Sequence, residues 1–377
     1  MHGPTPQRPT LTGDLQQRMQ RAAVRAADAG LAALVLIPGP DLRYLTGYHA
    51  VPLERLTALV LPATGDPVLI APALEEAAAL ASPIGELGVP VRTWQETEDP
   101  YALAADLLPR QGAIGVDNHM WAEQLLRLAA AAPSLEQRLA GDVLGPLRMV
   151  KSEAEIAALR RAGAAIDEVH AAMADWLRAG RTEAAVGRDI ADAIRGAGHA
   201  TVDFVIVGSG PNGASPHHEV SERVIGPGEP VVVDIGGSMP DGYCSDSTRV
   251  YCIGEPPTAF AQAYQALQQA QHAAVRHVRP GVTCESVDAV AREALTQAGL
   301  GEAFIHRTGH GIGLQTHEEP YIVAGNTLVL QPGMAFSVEP GVYLPGRYGA
   351  RIEDIVVCGP DGPDLVNRRP RELAILG

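Results

Sequence analysis

Three histidines and two glutamates crowd residues 304–320, FIHRTGHGIGLQTHEEP: His306, His310, His317, Glu318 and Glu319. Gly309, Gly311 and Gly313 strip side chains from the positions beside His310, so the backbone there can lie close to whatever that imidazole touches. Imidazoles packed this densely, on a stretch with no helical or strand period, point to metal binding or proton transfer. Four acids stand out elsewhere. Asp234 in VVVDIGG, Asp246 in CSDSTRVY, Glu339 in MAFSVEPGVY and Glu353 in ARIEDIVV each interrupt an apolar, β-prone run. A carboxylate in a central strand is costly unless it is paired or metal-bound, and the only basic residues beside these acids are Arg249 and Arg351. With His310 the acids form a set of four carboxylates and one imidazole. Two divalent cations would neutralise those four charges, as in a dinuclear site with bridging acids. Oxygen-rich ligands with one nitrogen suit Mn, Co, Fe or Zn.

Positioning such a set takes a large framework, and the chain has one. Its 377 residues suggest two domains, and a 46% apolar, 19% charged composition is enough to fill a substantial core. Acidic residues outnumber basic ones by 44 to 29, a formal charge of -15, and no basic run appears, which argues against nucleic acid and anionic membrane as partners. The polar, Pro-rich start has no apolar signal core, and no apolar run approaches a membrane span, so the expected compartment is the cytoplasm. Cys244, Cys252, Cys284 and Cys358 form no C-x-x-C pair and read as core residues.

The first part, residues 1–146, alternates in α/β fashion: a helix over 14–29 ending at Gly30, strands over 31–38, 56–61, 67–71 and 113–116, and helices over 74–81, 101–108 and 119–132. Residues 40–48, PDLRYLTGY, read as a turn from which Asp41 and Arg43 could project. Gly and Pro punctuate a boundary over 141–151, after which Ser152 and Glu155 form a capping box that launches a helix. The second part, 147–377, repeats itself. LRAGRTEAAVGRDIADAIRGAG at 177–198 matches VRPGVTCESVDAVAREALTQAG at 278–299 with a constant offset that pairs Gly180 with Gly281, Thr182 with Thr283 and Gly198 with Gly299. That offset is too long for a solenoid repeat. It marks a duplication: two pseudo-symmetric halves sharing a sheet, each giving two of the acids to a site on the axis between them.

The ordered run VVVDIGG…GYCSDSTR, HRTGHGIGLQTHEEP, SVEPGVY and ARIED resembles the pita-bread metallopeptidases, in particular the Xaa-Pro peptidases prolidase and aminopeptidase P. The likeness covers the whole second domain, and the first resembles the creatinase-type N-terminal domain of these enzymes. The resemblance implies an α+β chain with a C-terminal pita-bread domain and a smaller N-terminal α/β domain. It implies Asp234 as bidentate ligand of one metal, Asp246 and Glu353 as bridging ligands, and His310 and Glu339 completing the other site, with two Mn ions as the usual occupants and Co or Zn as substitutes. It matches His217 to a histidine that contacts substrate and steadies the transition state, His317 to one near the scissile bond, and His306 to one that helps form a proline pocket. Arg351 matches an arginine linking the site to tyrosine and acid groups, with Tyr343 and Asp41 as partners. In one respect the chain departs from the pattern: Asp234 and Asp246 stand one position further apart than is usual, because the turn SMPDGY carries an extra residue. The turn is expected to absorb it; otherwise Asp241 competes with Asp234.

The reaction implied is hydrolysis of a Xaa-Pro imide bond. The metals would acidify a water, Glu339 would take its proton, and His217 or His317 would help stabilise the oxyanion. Proline's nitrogen leaves only when protonated, a task for His317 or Glu339. Methionine aminopeptidase usually lacks the N-terminal domain and creatinase lacks the ligands, while a metal-free binding protein on the same scaffold would not need them. The choice between dipeptidase and aminopeptidase P rests on what meets the substrate's far end. Arg43 and His49 are candidates to bind a dipeptide's carboxylate, which with the chain's compact length favours prolidase. Relatives of this kind commonly form homodimers.

Overall fold

Leu31–Leu36, LAALVL, is apolar at every position, and it lies in the middle of a six-stranded sheet where both faces are covered. The computed structural model describes residues 11–377 and divides between Arg148 and Met149. In the N-terminal unit the central strand pairs antiparallel with Ala58–Pro62 and parallel with Gly112–Val116. Val68–Pro72 and Val91–Trp94 extend one side of the sheet and Leu135–Leu139 the other. Val91–Trp94 and Leu135–Leu139 escape the sequence reading because VRTW and LEQRL lack an apolar run; they are held as edge strands by their neighbours.

Two segments differ from expectation. Residues 40–48 are a helix, Pro40–Thr46, rather than a turn, and the punctuated boundary 141–151 contains a helix, Gly141–Met149. In the first, Pro40 at the first helical position and a left-handed Gly just beyond the end are helix start and stop signals as well as turn residues. Gly47, with φ of 69°, is such a C-cap. The helix also redirects Asp41, which is buried and accepts a hydrogen bond from Arg148 Nη1 at 2.7 Å. There it serves the N-terminal core.

The duplication is visible in the C-terminal unit. Helices Glu183–Gly196 and Cys284–Gln297 are capped alike, Thr182 Oγ1 accepting from Ala185 N–H and Thr283 Oγ1 from Ser286 N–H. Gly180 and Gly281 both adopt positive φ, 86° and 91°, and each donates its N–H to a returning loop, at Ile225 O and Leu330 O. Longer helices, Glu153–Ala171 and Thr258–His277, precede them, and the Ser152–Glu155 capping box is formed in full. The halves do not share a continuous sheet. One carries Thr201–Ser209, Pro230–Ser238 and Cys244–Ile253, joined at the far edge by Ala374–Leu376. The other orders Glu318–Ile322, Gly309–Gly311, Ala335–Val338, Asp354–Cys358 and Pro363–Leu365, beside a separate hairpin, Gly341–Leu344 with Tyr348–Arg351.

A buried charge network fastens the two together. Asp354, fully buried, accepts from Arg249 Nη2 at 2.8 Å, Gln271 Nε2 at 2.8 Å and Arg371 Nε at 2.5 Å. Arg249 in turn donates to Glu353 O at 2.6 Å. Asp354→Ala leaves the buried Arg249 guanidinium without its carboxylate, and is expected to lower unfolding stability by about 3–5 kcal/mol in urea titrations. A loss below about 0.5 kcal/mol, the scale of an ordinary surface substitution, would show that the network contributes little.

Candidate metal centre and substrate cleft

The hairpin Pro230–Ser238/Cys244–Ile253 places the first two acids. Its register runs unbroken, with Asp234 opposite Thr248 and Gly236 opposite Asp246, so both acids emerge on one face while Val231, Val233 and Ile235 pack the other. The extra residue therefore resides in the loop 239–243, and Asp241 is occupied at the surface by Arg161 Nη2 at 2.7 Å. Asp234 lies in mid-strand. Gly236 is required opposite Asp246, since a Cβ there would fall 2.5 Å from the Phe204 ring and 2.6 Å from Ser245 O.

The second half supplies the rest. Glu339 follows Ala335–Val338 and is fixed by its own N–H donating to Thr308 O at 2.8 Å. Glu353 sits between the strands Tyr348–Arg351 and Asp354–Cys358, its N–H donating to Thr248 O. His310 lies on the short strand Gly309–Gly311. The flanking glycines make room for neighbouring backbone: a Cβ on Gly309 would meet Ser337 O at 1.9 Å and one on Gly311 would meet Glu319 O at 2.2 Å. Their clearance seats the strand that carries His310.

Asp234, Asp246 and Glu353 each offer an oxygen within 4.8 Å of the others, and His310, Glu339 and Glu353 form a second such group. The Nδ1 of His310 donates to Gly311 O at 3.1 Å, which turns Nε2 toward Glu339 Oε1 at 3.1 Å and Asp246 Oδ2 at 3.6 Å. A proton or a cation must lie among those acceptors. Asp234 Oδ1 and Glu353 Oε1 are buried with no hydrogen-bond donor. Burial, and then the neighbouring carboxylates, push Asp246 and Glu353 well above the ordinary carboxylate range. Burial also favours the neutral form of Glu339, but His310 and then Arg351 outweigh it and hold this carboxyl low. Orphaned oxygens and mutually repelling acids are what divalent cations would satisfy, so the donor set fits the metal pair.

Two residues that support the set escaped the sequence reading. Thr248 Oγ1 donates to Glu353 Oε2 at 2.8 Å, and Ser337 Oγ accepts from His310 N–H at 2.9 Å while donating to Glu339 Oε1 at 3.0 Å. Each stands two positions from a site acid, Thr248 after Asp246 and Ser337 before Glu339. A polar residue on the face of a metal-binding strand was the available signal.

Asp234, Asp246, His310, Glu339 and Glu353 line a cleft of about 1230 Å³ together with His217, His306, His317 and Arg351. His217 and His317 are exposed to it, and the His317 ring lies 3.8 Å, centroid to centroid, from that of His310. Burial and the adjacent His310 lower the His317 imidazole to about 4, so it is neutral at physiological pH. His306 is locked at both nitrogens: Nδ1 donates to Arg307 O at 2.7 Å and Nε2 accepts from Tyr343 OH at 2.9 Å. Tyr343 accepts from Arg351 Nη1 at 2.7 Å, and Arg351 Nη2 donates to Asp234 Oδ2. Tyr343 is buried and outside the cleft lining, so it orients His306 and Arg351 and does not face substrate. Arg43 and His49 belong to the N-terminal unit, half-buried on the helix Pro40–Thr46 and exposed just beyond it.

Residues 157–360, more than half of the chain, match Metallopeptidase family M24, and residues 18–150 match the Creatinase/Prolidase N-terminal domain. The chain belongs to metallopeptidase family M24. A probable dipeptidase PepE of Mycobacterium tuberculosis is 57% identical over 361 residues, covering 96% of each chain. An Xaa-Pro dipeptidase of Lactobacillus helveticus is 37% identical over 350 residues, covering 89% of this chain and 92% of the relative. The crystal structure of dipeptidase PepE from Mycobacterium ulcerans superposes with a TM-score of 0.93 at 56% identity, covering 98% of this chain and 100% of that one. This M24 chain is thus a metallopeptidase with the α+β pita-bread architecture. Among its described residues no helix is long and apolar enough to cross a membrane.

Proposed function

We propose that this metallopeptidase is an Xaa-Pro dipeptidase that hydrolyses the imide bond before a C-terminal proline. The observation that carries the reading is the convergence of three buried carboxylates, the half-buried Glu339 and His310 in a cleft that also presents His217 and His317. The substrate class is supported by similarity to proteins named as dipeptidases and Xaa-Pro dipeptidases.

Asp234, Asp246, His310, Glu339 and Glu353 would hold two divalent cations, with Mn²⁺ the foremost choice for so oxygen-rich a set and Co²⁺ or Zn²⁺ as substitutes. Bound there, the cations supply a water acidified toward neutrality and positive charge near the carbonyl oxygen. The protein's own groups do the rest. Glu339 is ionised throughout the neutral range and accepts the proton released in the attack. His217, exposed in the cleft, steadies the oxyanion. His317, neutral and beside His310, can take up a proton and deliver it to the proline nitrogen. His306, with neither nitrogen free, is a fixed wall for the proline ring and not a proton carrier.

A second reading, cleavage of longer Xaa-Pro peptides as in aminopeptidase P, is favoured by the cleft's size. Comparing kcat/KM for Ala-Pro and Ala-Pro-Ala separates the two. The dipeptide is expected to be better by about tenfold or more, the worth of one charge-assisted hydrogen bond at its proline carboxylate. A better tripeptide overturns the dipeptidase assignment. The same comparison with Arg43→Ala tests whether Arg43 binds that carboxylate. The reading extends to a homodimer in the cytoplasm, to be checked by light scattering and cell fractionation.

A further inference from the structure

Resting on the assignment of His217 to the transition state, we infer that Glu183 is a positioning residue that fixes the substrate-side loop so that His217 faces the metal centre. Glu183 is the first residue of the helix Glu183–Gly196 and is fully buried. By sequence it is an ordinary acid in a helix's first turn, stabilised there by the helix dipole. Its surroundings are not ordinary. Oε1 accepts from Ser209 N–H at 2.8 Å, Ser209 Oγ at 2.7 Å and Asn212 Nδ2 at 3.1 Å. Oε2 accepts from His218 Nε2 at 2.8 Å and Ser221 Oγ at 2.6 Å.

All these donors lie on residues 209–221, the connection that carries His217. The hold is reciprocal, since Glu183 N–H and Ala184 N–H donate to Arg223 O and Ser221 O. Helix cap and carboxylate together grip both ends of the loop. Its tip is pinned on either side of His217: His218 is bound to Glu183, and Pro216 O accepts from Arg351 Nη2, the nitrogen that also holds Asp234. Consecutive residues are thus tied down, exposed and tied down, and the exposed one is the imidazole in the cleft.

A residue that only stabilised the fold would act independently of His217; one that positions His217 cannot. We therefore expect Glu183→Gln to lower kcat by about 10–100-fold, the scale for groups that orient catalytic residues, with two metals per chain retained. His217→Ala is expected to lose about 100-fold or more. The double variant should match His217→Ala within about threefold, because the positioning has nothing left to position. His218→Ala removes one arm of the anchor from the loop and should show the same non-additivity if Glu183→Gln does not fold. If His217→Ala is impaired but the second change costs its full factor on top, or His218→Ala leaves kcat unchanged, the positioning role is wrong while the peptidase reading stands. If His217→Ala itself keeps wild-type kcat, the assignment of His217 fails and this inference with it.

Discussion

Glu353→Gln is expected to lower kcat/KM for an Xaa-Pro dipeptide by on the order of a thousandfold or more, and to reduce bound metal below two per chain. Glu353 belongs both to the Asp234/Asp246 trio of donor atoms and to the His310/Glu339 trio. Its Oε2 is taken by Thr248 and its Oε1 has no donor, so the free oxygen is the one aimed at the centre. The amide keeps the shape but removes the charge, and one of its two heads becomes a donor that repels a cation. The same substitution should stabilise the metal-free protein, because it relieves the repulsion that pushes Asp246 and Glu353 upward. A protein that loses metal and activity yet melts higher without metal separates a broken site from a broken fold. Retention of two metals and near-normal turnover would remove Glu353 from the ligand set.

Stripping the metals from the wild-type protein is the second large effect. Activity should vanish and return with Mn²⁺, and the melting temperature should fall by on the order of 10 °C at pH 8, as expected when a ligand present at about a thousand times its dissociation constant is withdrawn. The pH dependence of that fall carries a sign. Asp246 and Glu353 have folded-state values raised above those of the unfolded chain, so the metal-free fold is penalised once the pH exceeds the unfolded value. The penalty grows until the folded groups also ionise. Metal-free protein should therefore be relatively more stable near pH 5 than at pH 8, and the gain on adding Mn²⁺ should shrink toward acid, where protons compete for the same oxygens. Differential scanning calorimetry at the two pH values measures both. An equal gain at each would mean that the carboxylates are not the groups neutralised.

The acids were legible in the sequence because they are misplaced by every local rule. Asp234 and Asp246 lie in strands whose other residues belong in a core, and such a conflict marks function. The duplication was legible from Gly and Thr at matched positions, since a left-handed Gly and a Thr cap have few alternatives. What failed to show was whatever local pattern leaves undetermined. Pro40 and Gly47 fit a turn or a helix equally well, and only burial of Leu42, Tyr44 and Leu45 decides for the helix. Leu135–Leu139 is a strand because Gly112–Val116 offers it an edge, a fact no window of its own residues contains. Glu183 looks like any helix-opening acid, because its donors arrive from residues 209–221, brought over it by the fold.

The division of the donors between the two halves has a mechanical consequence. Asp234 and Asp246 come from the first half and His310, Glu339 and Glu353 from the second, so cations held there would be a clasp across the seam as well as reagents. Prising the halves apart would then mean breaking ligand bonds, and a loaded centre would resist shear between them. The stiffness that substrate meets in the cleft would thus be set by metal occupancy.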